Sequence, residues 1–152
     1  MKRFNIRVYG LLMHAEKGVL VTDEIVGNMR LTKFPGGGLE FGEGTRDCLK
    51  REFMEEFGLK IKVEEHFYTT DFFVVSAFNP QDQIISIYYK VSAEFYPDYG
   101  NKLPFSFSDE EMAKYEAEEE TETARYIAWN DLDPEIFTLP IDKLVCSMIP
   151  LP

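Results

Sequence analysis

Three glutamates crowd one short stretch of the chain, the octapeptide REFMEEFG at residues 51–58. Glu55 and Glu56 follow Glu52 by three and four residues, a spacing that on a helix places all three on one face, with Cβ atoms roughly 5–6 Å apart. Like charges at this separation cost an isolated helix about a few tenths of a kcal/mol per pair. Hard cations such as Mg²⁺ take oxygen ligands, often one or two carboxylates together with substrate phosphates. The stretch therefore predicts either a metal site or a solvated acidic face.

The helix that carries these acids is predicted to run from about Thr45 to Phe57. Leu49, Phe53 and Phe57 recur at four-residue intervals and form an apolar stripe suited to packing on a sheet. The acids centre on a second stripe about a quarter of a turn away. Gly58 falls where a left-handed C-cap is expected. Upstream, the stretch FPGGGLEFGEG lets the backbone turn sharply and approach a ligand, which favours a cation site.

Strand-like runs and turn signals surround this helix. FNIRVYGLLMH and GVLVTDEIV, separated by AEKG, predict one hairpin, while LKIKVEEHFYTTDFFVVSAF and QIISIYYKVSAEFY, joined by NPQDQ, predict another. TARYIAW predicts a further strand. A capping box from Ser108 to Glu111 predicts a helix to about Glu118, and Pro140 is expected to start the closing helix. We find no repeat and no linker, and predict a single domain over residues 1–152 with helices packed on a mixed sheet.

Composition narrows the class of partner. The net charge of −11 argues against nucleic acid, and a phosphate-bearing substrate would need local neutralisation by a metal ion or by a few placed basic residues. Cys48 and Cys146 are too few for a disulfide framework or a zinc cage. No segment reads as a signal peptide or a membrane span. We predict a cytoplasmic protein with a small-molecule partner, no nucleic acid and no membrane; the oligomeric state stays open, a homodimer included.

Residues 37–59 resemble the Nudix box, a pattern of glycine, glutamate and REUxEExGU in which U is a bulky apolar residue. Seven positions each demand one residue type with a background of about 7%, so a chance match is on the order of one in 10⁸ per start position. Two further stretches, FPGG before the box and RYIAWNDL after it, resemble the segments found at these places in the family. The resemblance implies an α/β fold, a Nudix-type α/β/α sandwich around a mixed β-sheet. The specified positions are all matched, by Gly37, Glu43, Arg51, Glu52, Phe53, Glu55, Glu56, Gly58 and Leu59.

The resemblance also implies an activity. It is the Mg²⁺- or Mn²⁺-dependent hydrolysis of a diphosphate bridge in a nucleoside diphosphate linked to another moiety, with release of a nucleoside monophosphate. Arg51 is the implied orienting residue, and Glu43 resembles the structural acid that pairs with it. The implied catalytic residues are Arg51, Glu52, Glu55 and Glu56, and the implied metal ligands are Glu52, Glu55, Glu56 and the carbonyl of Gly36.

The general base and the substrate-binding residues are less well defined. Some family members use a box glutamate as base and others a carboxylate from a late loop. Here EAEEETE at residues 116–122 offers five glutamates, Glu120 and Glu122 among them, although such a run is also typical of a solvated surface. Arg30 and Lys33 are candidates to meet phosphate and Phe34 to stack a base, with surface and core roles as the competing interpretations.

The substrate is left open between nucleoside triphosphates and nucleotide sugars such as ADP-ribose. Some subfamilies carry a proline or tyrosine about fifteen to eighteen residues beyond the box as a marker of their substrate. The corresponding residues 74–77 here are Val, Val, Ser and Ala, so neither marker is present. The segment 97–122 is the longest candidate for a substrate lid. The alternative function is a nucleotide-sensing Nudix domain without hydrolysis, which the complete set of box acids disfavours. A third possible function, removal of the RNA cap, is disfavoured by the net negative charge of the protein, because RNA is bound mainly through basic residues.

Overall fold

The computed structural model describes residues 1–152, and the chain divides into two compact units, residues 1–12 with 35–95 and residues 13–34 with 96–152. Strands pair in both parallel and antiparallel fashion, so the mixed α/β fold is confirmed. None of the helices is long and apolar enough to cross a membrane. The elements are β1 (Arg3–His14), β2 (Gly18–Val26), β3 (Met29–Lys33), β4 (Gly36–Gly38), α1 (Thr45–Phe57), β5 (Ile61–Thr69), β6 (Asp82–Ala93), α2 (Asp109–Glu118), β7 (Glu120–Ile127) and α3 (Pro140–Met148).

In the first unit, β1 lies between β4 and β6. It pairs antiparallel with β4, where Val8 is opposite Gly37, and parallel with β6, where Val8 is opposite Ile87. β5 extends this sheet on the far side of β6 by antiparallel pairing. Within the unit, β4 is therefore one edge strand and β5 the other. α1 packs against both β4 and β5.

The predicted helix over residues 45–57 is confirmed, and its packing follows the apolar stripe. Leu49 and Phe53 are fully buried, and the ring of Phe57 meets that of Phe53 edge-on at 5.4 Å. Gly10 on β1 leaves space for the Phe53 ring, because a Cβ at position 10 would lie 2.8 Å from that ring. Gly58 ends the helix at φ 60°, and its N–H donates to the carbonyl of Met54, as expected for a left-handed cap.

In the second unit, β2 lies between β3 and β7 and pairs antiparallel with both. A buried ion pair fixes this sheet, since Arg125 Nε donates to Asp23 Oδ2 at 2.7 Å and Asp23 is fully buried. Thr32 Oγ1 donates to the other oxygen of Asp23 at 2.7 Å. Such a buried carboxylate is tolerated because its oxygens are satisfied by a cation and by further donors.

Two of the predicted helix starts are confirmed and some strand limits differ. Ser108 and Glu111 form the reciprocal capping box of α2, and α3 begins at Pro140. The long apolar run after Leu59 is a strand to Thr69, with register shifts along it, and Val75 rejoins the sheet as an isolated bridge to Gln83. β7 begins at Glu120, earlier than TARYIAW predicted, because the acidic residues before it also pair with β2.

Candidate active site

Two of the three glycines of β4, Gly36 and Gly37, bring the backbone close to its neighbours. Gly36 has φ +148°, and a Cβ on it would lie 2.1 Å from the carbonyl oxygen of Val8. A Cβ on Gly37 would lie 2.5 Å from the carboxyl carbon of Glu52. The Glu52 carboxylate of α1 therefore lies directly against the backbone of Gly37. It occupies space that the side chain of any other residue at position 37 would need.

Arg51 is the centre of the acidic cluster. Its Nε and Nη2 donate to the two oxygens of Glu43 at 3.0 and 2.7 Å, a bidentate pair. Its Nη1 donates to Glu52 at 3.0 Å and to Glu55 at 3.2 Å. Hydrogen bonds donated by Arg51 lower the pKa of Glu43 to about 2, and the same bonds are the largest influence raising the pKa of Arg51. One guanidinium thus sets the orientation of three carboxylates.

The sequence pattern did not identify three further groups around Arg51. Glu40 approaches Nη1 at 3.7 Å, and the carbonyl of Gly38 accepts from Nη2 at 3.2 Å. The thiol of Cys48, buried in α1, donates to the same carbonyl at 3.5 Å. Burial raises the pKa of the Cys48 thiol to about 12, so it is a neutral donor. The turn LEFGEG was the available signal, since it brings Glu40 back to Glu43.

The donor chemistry of the three helix glutamates fits a hard cation, but the side chains do not form a closed cage. No three Asp, Glu, His or Cys side chains stand at a spacing that could hold a metal ion. The reason is Arg51, which draws Glu52 and Glu55 onto its own guanidinium. The Glu55 side chain is 59% exposed and can rotate, while Oε2 of Glu56 is shielded from solvent. The side chains of these three glutamates offer a metal ion only carboxylate oxygens, which suit Mg²⁺ or Mn²⁺.

The basic and aromatic candidates upstream of the box belong to the second unit. Lys33 is buried and pairs with Glu24 at 3.5 Å, and the guanidinium of Arg30 lies over the ring of Phe105 at 5.1 Å. Phe34 is fully buried and stacks on Phe137 with 4.3 Å between ring centroids. This burial argues against Phe34 as a base-stacking residue, because no ring face reaches the surface. The phosphate contacts of Arg30 and Lys33 stay predictions.

The two late glutamates do not lie on a loop, so that part of the prediction is wrong. Glu120 and Glu122 are in β7, opposite Val26 and Glu24 of β2, because the chain turns into the strand directly after α2. Within the second unit they line a pocket with Glu24, Lys114 and Thr121. Their role as a base stays a prediction.

The segment 97–122 is only partly a loop. Its second half is α2 and the start of β7. Its first half is tied to the sheet of the second unit, since Lys102 donates to the Ala124 carbonyl at 2.9 Å and the Phe105 N–H donates to Asp23 at 2.9 Å. These anchors hold the segment at two points, which is unlike a free lid.

Comparisons with known proteins concern the family and the fold. The family model for the NUDIX domain matches residues 3–145, which is most of the chain. No curated protein matches the sequence. A NUDIX hydrolase structure from Nitrosomonas europaea superposes with a TM-score of 0.64 at 18% identity, covering 95% of this chain and 87% of that one.

Two further solved structures show the same fold. A MutT protein from Methanosarcina mazei has a TM-score of 0.62 at 16% identity, with 97% of this chain and 93% of that chain covered. An ADP-ribose pyrophosphatase from Streptococcus suis has a TM-score of 0.50 at 17% identity, with 95% and 90% covered. These identities are low, and the likeness concerns the fold. The family model matches nearly the whole of this chain, and the box residues are assembled around Arg51, so the chain belongs to the NUDIX family and is a Nudix hydrolase.

Proposed function

We propose that the chain hydrolyses the diphosphate bridge of a nucleoside diphosphate linked to another moiety, with Mg²⁺ or Mn²⁺, and releases a nucleoside monophosphate. One observation carries the proposal: Arg51 holds Glu43, Glu52 and Glu55 together, and the Glu52 carboxylate lies against the backbone of Gly37. Carboxylates concentrated in this way attract a divalent cation, and a bound cation in turn attracts an anionic ligand. A solvated acidic face would not organise its carboxylates around one half-buried arginine fork.

The residues divide into ligands and positioning groups. Glu52, Glu55 and Glu56 would hold the metal ion, with the Gly36 carbonyl as a further ligand. When bound, a divalent ion neutralises charge on the diphosphate and lowers the pKa of a coordinated water. Arg51 orients Glu52 and Glu55, and it remains charged throughout because its pKa is raised by Glu43 and Glu52. Glu43 holds Arg51 in turn, and stays ionised down to about pH 2.

The substrate class we favour is a nucleoside triphosphate or a nucleotide sugar such as ADP-ribose. Both carry the diphosphate bridge that a cation site can span, and both are small molecules, as the charge of −11 favours. The low identity to the MutT protein and to the ADP-ribose pyrophosphatase does not choose between them. Two free, buried cysteines are compatible with a cytoplasmic location, which we also propose.

Product analysis tests the function. We expect attack by water at a bridge phosphorus, giving a nucleoside monophosphate plus a phosphorylated remainder, or pyrophosphate when the substrate is a triphosphate. The measurement is mass spectrometry of products formed in heavy-oxygen water, across a nucleotide panel with Mg²⁺ and with Mn²⁺.

Two outcomes of this screen would count against the proposal. Nucleotide binding without any product across the panel would favour the sensing function. Orthophosphate released from the start, before any phosphatase is added, would indicate a phosphatase that needs no diphosphate bridge.

Gly37→Ala gives a local test of the glycine backbone. The added methyl group would lie 2.5 Å from the Glu52 carboxyl carbon, and this flexible side chain would rotate away. We expect stability to change by about 1 kcal/mol or less while turnover falls by roughly 10-fold, because Glu52 loses its bond to Arg51. Denaturant unfolding and steady-state kinetics measure the two effects.

Gly38→Ala is the matched control for stability and for the response to Mg²⁺. A Cβ there would meet Arg7 Nη1 at 3.6 Å, an ordinary contact, on the same strand. If Gly37→Ala kept the wild-type turnover and the wild-type Mg²⁺ response, the placement of Glu52 on Gly37 would have no functional role.

A further inference from the structure

The connection between β5 and β6, in the first unit, has an apolar and uncharged surface. Residues 72–81, FFVVSAFNPQ, are the longest run of this chain without a charged residue. Four of its large apolar side chains are exposed: Phe72 by 42%, Phe73 by 71%, Val75 by 43% and Phe78 by 52%. Contiguous exposed apolar side chains mark an interaction site more often than ordinary protein surface. The run is therefore a candidate interface.

Part of this run is an edge strand with unused hydrogen-bonding groups. Val75 bridges to Gln83 of β6 in antiparallel fashion, and the Val74 carbonyl accepts from the N–H of Ile84 at 2.8 Å. Because β1 pairs with β6 along its other side, the run lies at the edge of the sheet of this unit. In an antiparallel ladder the residues between hydrogen-bonded pairs direct their N–H and C=O groups outward. Those of Phe73 and Val75 accordingly form no backbone hydrogen bond.

Native proteins usually protect an edge of this kind, because its unpaired N–H and C=O groups can pair with another chain. Charged side chains and proline are the common means of protection, and residues 72–76, FFVVS, contain neither. Phenylalanine and valine favour strands, and a short uncharged run of them pairs readily between chains. We infer that residues 72–76 pair antiparallel with the same residues of a second copy of this chain, and that this edge is the interface of a homodimer.

Antiparallel pairing of a strand with itself is closed by a twofold axis, so it gives a dimer rather than a filament. With the axis at Val74, Phe73 of each copy lies opposite Val75 of the other, and the outward groups of these two residues form four backbone hydrogen bonds. Pairs of an aromatic and a β-branched side chain across two strands add to the stability. Asp71, the charged residue before the run, lies opposite Ala77 of the other copy and not opposite an acid.

Charge and area favour a second copy as the occupant of this edge. Two chains of net charge −11 repel each other, and a run without charge is where they approach at the least electrostatic cost. At about 200 Å² for a whole ring, the exposed parts of Phe72, Phe73 and Phe78 come to roughly 330 Å². One side of a standard interface buries about 800 Å², of which somewhat over half is apolar. Together with Val75, these rings supply most of that apolar area.

Sedimentation velocity of the full chain over a range of concentrations tests the interface. We expect a wild-type dimer with a Kd on the order of 10 µM, and a lower Kd at higher salt, because salt screens the repulsion between the copies. Phe73→Glu places a carboxylate in the interface and should raise the Kd at least ~10-fold. Phe4→Glu is the matched control, since Phe4 is 66% exposed on β1 and β6 separates it from the run. Its Kd should stay within about twofold of the wild type.

Val75→Pro tests the backbone pairing. Proline removes an N–H that has no backbone acceptor within the chain, so the fold should be kept while two of the four hydrogen bonds between copies are lost and the Kd rises at least ~10-fold. Circular dichroism checks the fold, and Phe73→Glu decides alone if Val75→Pro does not fold. Equal Kd values in Phe73→Glu and Phe4→Glu, or an unchanged Kd in folded Val75→Pro, would overturn the inference. A wild type that is monomeric up to about 1 mM, or an assembly larger than a dimer, would also overturn it.

Discussion

Replacing Glu55 and Glu56 together with glutamine is expected to abolish nucleotide hydrolysis and the response to Mg²⁺. The amide keeps the size of the side chain and removes the negative charge that holds a hard cation. Metal ions contribute several kcal/mol of transition-state stabilisation, so turnover should fall by at least ~10³-fold. A ligand bound only by the folded state raises thermal stability by mass action. The wild type should therefore melt at a higher temperature in Mg²⁺, and the double variant should not.

A matched control is Glu16→Gln with Glu94→Gln, two exposed glutamates outside the box and outside the acidic run at residues 116–122, which make the same change in net charge. This pair should keep both the hydrolysis rate and the thermal shift. Circular dichroism should show that the Glu55/Glu56 variant is folded, since neither residue belongs to the buried core. An unchanged Mg²⁺-dependent shift in that variant would show that these carboxylates do not bind the metal ion.

The part of this protein that sequence could predict is the part governed by short spacings. The bounds of α1, its glycine cap and the capping box of α2 depend on residues within a turn of one another. The pairing of Arg51 with Glu43 is also local, because the turn at residues 40–43 brings the acid back to the helix. In such cases the residue pattern already contains the contact.

Tertiary packing decided the positions that the sequence left open. Phe34 follows β3 in a run that suits either a surface or a core role, and its stacking on Phe137, far along the chain, makes it core. Glu120 and Glu122 became strand residues because β2 offers them a partner. The pairing of β4 with β1, in which Val8 is opposite Gly37, is a register that no local pattern encodes.

Arg51→Lys should lower turnover by roughly 10²-fold while the KM changes little. Lysine keeps the charge but cannot bind Glu43 through two nitrogens and still reach Glu52 and Glu55, so the carboxylates lose their orientation. A loss of charge-assisted hydrogen bonds of about 2–3 kcal/mol corresponds to this rate change when the bonds act on the transition state. A fall in kcat with KM preserved indicates an effect on the transition state rather than on substrate affinity.

The same variant should also change the acid stability of the protein. In the wild type, Arg51 lowers the pKa of Glu43 from 4.5 to about 2, so this pair stabilises the fold above about pH 4.5 and loses that contribution as the pH falls towards 2. In Arg51→Lys the pKa of Glu43 should lie closer to its ordinary value, and unfolding free energy should depend less on pH across that window. Arg46→Lys is the control on the same helix, because Arg46 contacts the carbonyls of Val63 and Glu64 and none of these acids. Wild-type kinetics and a wild-type pH profile in Arg51→Lys would show that the bidentate fork does not position the glutamates.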